Sequence, residues 1–478
     1  MPKDSLSKNL KDNIQLIKDK FNDDMLKSRE ILNINNENVK IALIYFGLLV
    51  NREFIQDSIV KPILEYKEKF GPKDLINTFG RSIINASEFE VNSDIDEICY
   101  ELMYGKTILI IDGYKEVLII ETNGRITRTP NEPEAEMVLR GPRGGFTESL
   151  MNNISALRRI ILTPDLKFIY LKIGKETNVY MTYTYIEGLV DTRALKEFEK
   201  KLYEMKLDAV VDSNTVAEAI SYRGMSPLEI VGQTERPDTL AAKLLEGKIG
   251  VMLEGSPVAI TLPFLFAENF QTNEDYYVNT FFASISRLAR LIGFLISTLL
   301  PGLYVAIITY HWEIVPTRIA LAILQSQEGL TLPTPIEAIF MLGVFEILRE
   351  TGIRTPSGLG QSMSIVGALV VGQSAIQARV ASPIMVIIVA LTAMTALINY
   401  KLKGATIFFR VLVLFAGIFF GLYGITVCVY FILFHLFSKK SFGVQYTELF
   451  FPFKKGNLKD TFIRATGEGM GRLDDGDK

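Results

Sequence analysis

The sequence predicts an α/β soluble N-terminal region with two duplicated subdomains, followed by an all-α polytopic membrane domain. Three observations carry this reading: an uneven distribution of charge, an internal repeat, and a series of apolar segments in the last third. The chain of 478 residues is 22% charged and 48% hydrophobic, with a mean hydropathy of +0.22. From Leu291 to Phe437 there are seven Arg or Lys, five Glu and no Asp, so 12 of 147 residues, about 8%, are charged. Charge depletion on that scale marks a membrane domain, and the charged remainder marks a soluble one.

The first 30 residues hold Leu6, Leu10, Ile14, Ile17 and Phe21 at helical spacing. This reads as an amphipathic helix or tail, residues 1–30, docking on its own domain or lying on a membrane surface. It has no apolar core of the kind a signal peptide needs. The long polar region is therefore expected in the cytoplasm.

A duplication follows. GKTILIIDGYKEVLII (Gly105–Ile120) matches GKIGVMLEGSPVAITL (Gly247–Leu262) at an offset of 142. Each copy runs from Gly-Lys through apolar residues to an acidic-Gly turn, Asp112-Gly113 or Glu254-Gly255, and into a second apolar run: a β-hairpin. A helical pattern ending in Gly precedes each. Lys40–Ile55 resembles Val179–Leu195, each a strand leading to a polar N-cap, Asn51 or Asp191. The expected divisions are a first α/β subdomain at 31–140, a connecting turn and helix at 141–164, and a second subdomain at 165–262.

The connection contains GPRGGFTESL, Gly141–Leu150. A phosphate loop of the Walker type needs a lysine after its last glycine, and Phe146-Thr147 stand there instead. The dinucleotide spacing is absent as well. What remains is a Pro-Gly turn with Thr147 as N-cap and a helix through Arg158-Arg159. The turn is structural, or else Arg140 and Arg143 form an anion or partner site.

Other chemistry is sparse. A net charge of −3 gives no basic excess, and nucleic acid is not expected as a partner. Cys99 and Cys428 fall in different halves and are expected as free thiols. His311 and His435 stand alone, so no metal site is expected. There is no nucleophile–base pair, and the chain is read as having no catalytic residues and no cofactor.

Residues 263–290 mix aromatics with acids and form an interfacial transition. The transmembrane domain, 291–437, is read as spans at Leu291–Thr309, Thr334–Leu348, Gly360–Ile376, Pro383–Ile398, Ile407–Leu422 and Ile425–Phe437. Pro301-Gly302 is a possible kink or break in the first. Several spans are short enough to be re-entrant. The positive-inside rule places Arg287, Arg290, Arg349, Arg354, Lys401, Lys403, Lys439 and Lys440 on the cytoplasmic side, with Arg318 and Arg379 outside. Six crossings with a cytoplasmic C-terminal tail, 438–478, satisfy it. The rival is one long helix from Ile407 to Phe437, which gives five. Gly360, Gly367 and Gly372 are candidate helix-packing residues, within one subunit or between subunits. Glu337 and Glu346 are carboxylates inside apolar spans, which are costly and usually face a cavity or a partner. Glu346 stands with Arg349 and Glu350 on one helical face, a candidate ion pair. The alternatives are helix-end or interface charges, and a carboxylate ring on an ion pathway that includes Gln373.

RGPRGGFTESLMNNISALRRII, with the later DTLAAKLLEGKIGVMLEGSPVAITLPFLFAENFQTNEDYY, resembles the A-subunit family of bacterial spore germinant receptors (the GerA type). The resemblance extends over nearly the whole chain and includes IFMLGVFEILRETGIRTP and IVGALVVGQSAI. Gly144 departs from it, since a charged residue is expected there. The resemblance implies a homo-oligomeric subunit of a sensor complex in the inner membrane of the dormant spore. Its partners would be a transporter-like B subunit, which binds the nutrient, a lipoprotein C subunit, and membrane lipid. The A subunit would conduct ions, or else relay nutrient binding to a separate channel. On this reading Asp275, Tyr276 and Tyr277, with Arg140 and Arg143, are candidate subunit or partner contacts, and the Asp275–Tyr277 stretch couples the soluble domain to the pore.

Overall fold

The computed structural model describes residues 5–33, 39–68, 75–86, 88–122, 132–133, 136–138, 140–221, 226–354, 370–448 and 464. The chain forms two compact units. One comprises Met1–Arg223 with Val231–Pro263, and the other Gly224–Ile230 with Phe264–Lys478.

The first unit holds two five-stranded antiparallel sheets of the same topology. Strands β1 (Leu26–Leu32), β2 (Lys40–Phe46), β3 (Phe89–Asn92), β4 (Thr107–Ile111) and β5 (Val117–Ile120) are ordered β1-β2-β4-β5-β3. Strands β6 (Leu166–Ile173), β7 (Val179–Ile186), β8 (Gly232–Thr234), β9 (Ile249–Leu253) and β10 (Ala259–Leu262) are ordered β6-β7-β9-β10-β8. The repeat seen in sequence is thus a repeat of fold. Alternation along the strands divides the core of the first copy. Ala42, Ile44, Ile108, Ile110 and Ile119 face helices Leu10–Phe21 and Ile95–Met103. Ile41, Leu43, Leu109, Ile111 and Leu118 face the helical turns around Ile59, Ile63 and Phe79. Cys99 lies in the first of these layers, and burial pushes its thiol up to about 11.

The duplicated unit is longer than the sequence reading drew it. Helix Leu10–Phe21 packs on the first sheet, and helix Leu150–Ile160 packs on the second in the same way. The acidic-Gly turn anchors each helix start. Asp112 Oδ1 accepts from Leu10 N at 2.9 Å, and Glu254 Oε2 accepts from Leu150 N at 2.9 Å. Gly113 N donates to Lys8 O at 2.8 Å, and Gly255 N to Glu148 O at 2.7 Å. Both glycines have positive φ, 92° and 87°, which side chains with a Cβ rarely adopt. Asn13 and Asn153 each close a reciprocal pair with a backbone, that of Ser7 or of Thr147. The expected boundary at 30/31 therefore cuts through an element, and the one at 140/141–164 parts a helix from the copy it belongs to. Strand β1 straddles residue 31, and the 1–30 and 141–164 segments supply the first helix of each copy. Thr147 does not cap Leu150–Ile160: Ser149 is the N-cap residue, and the cap bond is accepted by Glu254.

The two copies meet at a buried ion pair. Arg158 bonds to Asp23, with side chains 3% and 1% exposed. Its guanidinium lies over Phe46 at 4.7 Å and Phe168 at 4.9 Å, one ring from each copy. Removing one partner of such a pair leaves an uncompensated buried charge. Arg158→Ala is expected to cost about 3 kcal/mol in equilibrium unfolding of the α/β unit. Arg143→Ala, at a side chain 69% exposed, should change stability by less than about 0.5 kcal/mol. Equal effects of the two would contradict this placement.

The second unit is helical. Helix Thr280–Tyr310 runs through Pro301 without the break that Pro301-Gly302 suggested. At 31 residues it is about 46 Å long, more than a bilayer core of about 30 Å. Helices Thr317–Gln327, Thr334–Arg354 and Pro383–Ile398 follow. Helical structure then extends over Lys403–Ser438, interrupted at Gly421 (φ 60°, ψ −147°). There the chain reverses. Phe409 and Leu436 share one cluster, and Val413 meets Ile425, although a straight helix would hold the first pair about 40 Å apart. One continuous helix from Ile407 to Phe437 is thereby excluded. Thr280–Tyr310 and the Tyr400–Ser438 run are long and apolar enough to cross a membrane. Thr334–Arg354 contains Glu337, Glu346, Arg349, Glu350 and Arg354, which leave only a short uncharged stretch between its carboxylates.

The segment from 226 to 230 belongs to this unit, not to the second subdomain. Leu228 and Ile230 bury against Phe264, Phe270 and Tyr446, and Ser441 Oγ donates to Ile230 O at 2.7 Å. The start of the expected tail is likewise packed, with Phe442 and Tyr446 buried.

Candidate functional site in the helical unit

Carboxylates enclosed among apolar helices must be compensated, and this unit compensates them in different ways. Asp275, 2% exposed, follows Thr272, whose N and Oγ1 donate to it at 3.1 Å each. Arg290 donates to both of its oxygens at 2.8 Å, and Arg287 Nε donates at 3.1 Å. Burial raises the Asp275 pKa, but the Arg290 hydrogen bonds and charge, with Thr272 and Arg287, outweigh it and hold the carboxyl below its ordinary value. Arg287, itself fully buried, lies over Tyr276 at 5.5 Å. This cluster ties the turn Asn273–Tyr276 to the start of the long helix. Asp275 is thus enclosed inside the helical unit, while Tyr277, Arg140 and Arg143 are exposed.

Glu346 pairs with Arg349 one turn on. Arg410, from the Lys403–Ser438 segment, is 4% exposed and close enough to both to feel their charges. Its Nε and Nη2 have no hydrogen-bond partner among the described residues. Among the described residues, Arg349 and Arg410 both stand near Glu346. Arg410 was missed as a site residue because the charge count registers it only as one cation in an apolar run; the structure makes it a neighbour of Glu346. Glu350 is exposed at the end of the same helix.

Glu337 differs. It is fully buried in the first turn of Thr334–Arg354. Its Oε1 accepts from Ser382 N at 2.6 Å and Ser382 Oγ at 2.7 Å. Ser382 is the N-cap of helix Pro383–Ile398, and its Oγ accepts from Met385 N at 3.1 Å. The carboxylate thus sits at the positive end of a helix dipole. Among the described residues no Lys or Arg pairs with Glu337, and its Oε2 has no hydrogen-bond partner. Gln373 lies in the helical stretch at 370–377 and is exposed.

Among the described residues, the closest helix crossing is made by glycines other than the three expected. Gly360 and Gly367 lie outside the described residues. At Gly372 an added Cβ would make only ordinary contact with Val386, at 3.7 Å. The tight crossing is Gly302 against Gly417. A Cβ on Gly302 would stand 2.8 Å from Val413 O, and one on Gly417 2.7 Å from Gly302 O. Tyr310 Oη donates to Ile418 O at 2.6 Å, which anchors the same pair of helices.

In the first unit the Gly141 loop is fastened from within. Arg236, fully buried, donates to Pro142 O at 2.6 Å and pairs with Asp238. Phe146 N donates to Glu235 O at 2.7 Å. Among the described residues, the adjoining cleft of about 1020 Å³ is bordered by Glu132, Glu148, Glu235 and Glu254 and by no basic residue. Among the described residues no group of three or more His, Cys, Asp or Glu is arranged to hold a metal ion.

An α/β duplication joined to a unit with helices of membrane-crossing length defines a membrane protein with a large polar domain. The family described as "Bacillus/Clostridium GerA spore germination protein" matches residues 8–473, and the chain belongs to it. Similar relatives include spore germination protein KA of Bacillus subtilis (strain 168), 35% identical over 91% of this chain and 80% of the relative. Spore germination protein GerLA of Bacillus cereus is 31% identical over 89% of this chain and 87% of the relative. Among solved structures, the crystal structure of the N-terminal domain of the A subunit of the Bacillus megaterium spore germinant receptor GerK3 is 25% identical. It covers 56% of this chain and 99% of that domain, at a TM-score of 0.40.

Two predictions follow from this geometry. Gly302→Leu or Gly417→Leu should cost about 2 kcal/mol or more by overpacking, read as a lower melting temperature of the purified protein in detergent. An unchanged melting temperature would refute the close crossing. The depressed Asp275 pKa contributes stability above the ordinary Asp value of about 3.9, and this is lost as pH falls through the folded value. Asp275→Asn should therefore destabilise at neutral pH and flatten the acid limb of a stability–pH curve below about pH 4. An acid limb as steep as that of the unmutated protein would count against this role.

Proposed function

We propose that this chain is the A subunit of a spore germinant receptor and forms a nutrient-gated cation path in the inner spore membrane. One observation carries the reading: Glu337, in a chain of the germination family, is a buried carboxylate whose charge is not neutralised by a basic side chain among the described residues. In an oligomer such carboxylates form a ring that favours cations. Glu346 is not equivalent, because Arg349 and Arg410 already surround it. The partners are a transporter-like B subunit and a lipoprotein C subunit, as the family resemblance implies. Arg140, Arg143 and Tyr277, all exposed, are the contact candidates. The excess of Lys and Arg on one side supports a multi-pass arrangement with the N-terminal unit in the cytoplasm. No group in the chain is assigned to catalysis.

A second reading is a non-conducting scaffold that relays nutrient binding to a separate channel, as a paralog acting with the spore dipicolinate channel would. The buried Arg410 favours it, since excess positive charge among the helices opposes cation passage.

The two carboxylates separate the readings when changed singly. With receptor levels matched, Glu337→Gln should slow nutrient-triggered release of monovalent cations from spores about tenfold, while Glu346→Gln changes it less than about twofold. Normal release from the Glu337→Gln spores would remove the channel assignment.

A further inference from the structure

We infer that Glu337 and Tyr304 bind a partly hydrated monovalent alkali cation between helices Thr280–Tyr310, Thr334–Arg354 and Pro383–Ile398. The inference stands on two buried oxygens that lack partners. Glu337 Oε2 and Tyr304 Oη are enclosed, on side chains 0% and 8% exposed, and neither has a hydrogen-bond partner among the described residues. They belong to one locus. Tyr304 packs in one cluster with Ala338, Ala381 and Met385, the neighbours of Glu337 and Ser382, and its hydroxyl lies near Ser382 and Gln327 without closing a well-formed hydrogen bond to either. The other carboxylate oxygen is fixed by Ser382 N and Oγ at 2.6 and 2.7 Å, so the group cannot swing away to find another partner without losing both bonds. Gln327 is held as well, donating through Nε2 to Thr334 Oγ1 at 3.1 Å.

Chemistry selects the ligand. A buried carboxylate without a cationic partner is strongly unfavourable, and a helix N-terminus supplies only about half a charge. A bound cation of one unit balances the carboxylate with the smallest excess of positive charge. A divalent ion would leave a net positive charge and needs more oxygen ligands, usually several carboxylates. No second acid joins Glu337 in a metal-type cluster among the described residues. An anion is repelled. The hard oxygens, one carboxylate and one phenol, suit Na⁺ or K⁺. Because three helices meet at this point, occupancy also fixes their packing, and Tyr304, Met341, Met385 and Ala381 form one apolar cluster around it.

This site deepens the cation-path reading and rests on it only for its role, since binding is measured without flux. The purified full chain in lipid nanodiscs is titrated with ²²Na⁺ and with ⁸⁶Rb⁺ as a K⁺ analogue, with Na⁺, K⁺ and Mg²⁺ as competitors. Saturable binding displaced by Na⁺ or K⁺ and not by Mg²⁺ is expected. Glu337→Gln should weaken it at least about tenfold and Tyr304→Phe several-fold, both with unchanged helical circular dichroism. Tyr304→Phe keeps the test decisive if Glu337→Gln does not fold. No retained label from a folded protein means that no alkali cation occupies the gap, and the inference fails. Binding unaffected by Tyr304→Phe, or displaced by Mg²⁺, also overturns it. Binding without altered release in the spore variants would leave the site standing and remove the channel; altered release without binding would do the reverse.

Discussion

A charge enclosed among apolar helices needs a partner, and the helical unit is organised around how its carboxylates find one. Asp275 is held by two arginines and a turn, which joins the preceding 3-10 segment to the long helix. Glu346 is held by Arg349, with Arg410 close by. Among the described residues Glu337 has only the N-terminus of Pro383–Ile398. The strength of compensation falls in that order, and so does the case for a purely structural role. A fully neutralised carboxylate stabilises packing and offers little to a mobile ion. A half-neutralised one retains the field that attracts it.

The α/β unit follows a similar economy of polar contacts. An acid in the hairpin turn, Asp112 or Glu254, satisfies the exposed N–H at the start of the helix packed beside it. The following glycine makes the turn possible and donates to the chain entering that helix. The same side-chain and backbone bonds occur in both copies, although an acid of different length stands in each. The bond itself, not the residue, is what the two repeats share. Between them, Arg158 fills the junction with Asp23 and two aromatic rings.

Much of this was legible in the sequence because it is periodic or local. The hairpin repeat at an offset of 142 led to two sheets of one topology, and the charge-poor last third led to the helices. The starts of the repeats were missed because Leu10–Phe21 and Leu150–Ile160 share few residues beyond a leucine, an asparagine and an isoleucine. Their common capping bond comes from more than 100 residues away. Gly421 could not be told from the other glycines of an apolar run, since a reversal there depends on its backbone angles. The sequence reading singled out neither Arg410 nor Ser382. Their importance lies in what crosses to them from the Thr334–Arg354 helix. The candidate carboxylates were visible from hydropathy alone, but which of them is already neutralised is a property of the packing.

The most direct test is ion flux through the purified chain reconstituted alone into liposomes, with the reversal potential measured under a salt gradient. A channel formed by this chain predicts a cation-selective conductance whose selectivity falls when Glu337 is changed to Gln. Vesicles that contain folded, oligomeric protein yet show no conductance above empty liposomes would contradict it and make the chain a transducer.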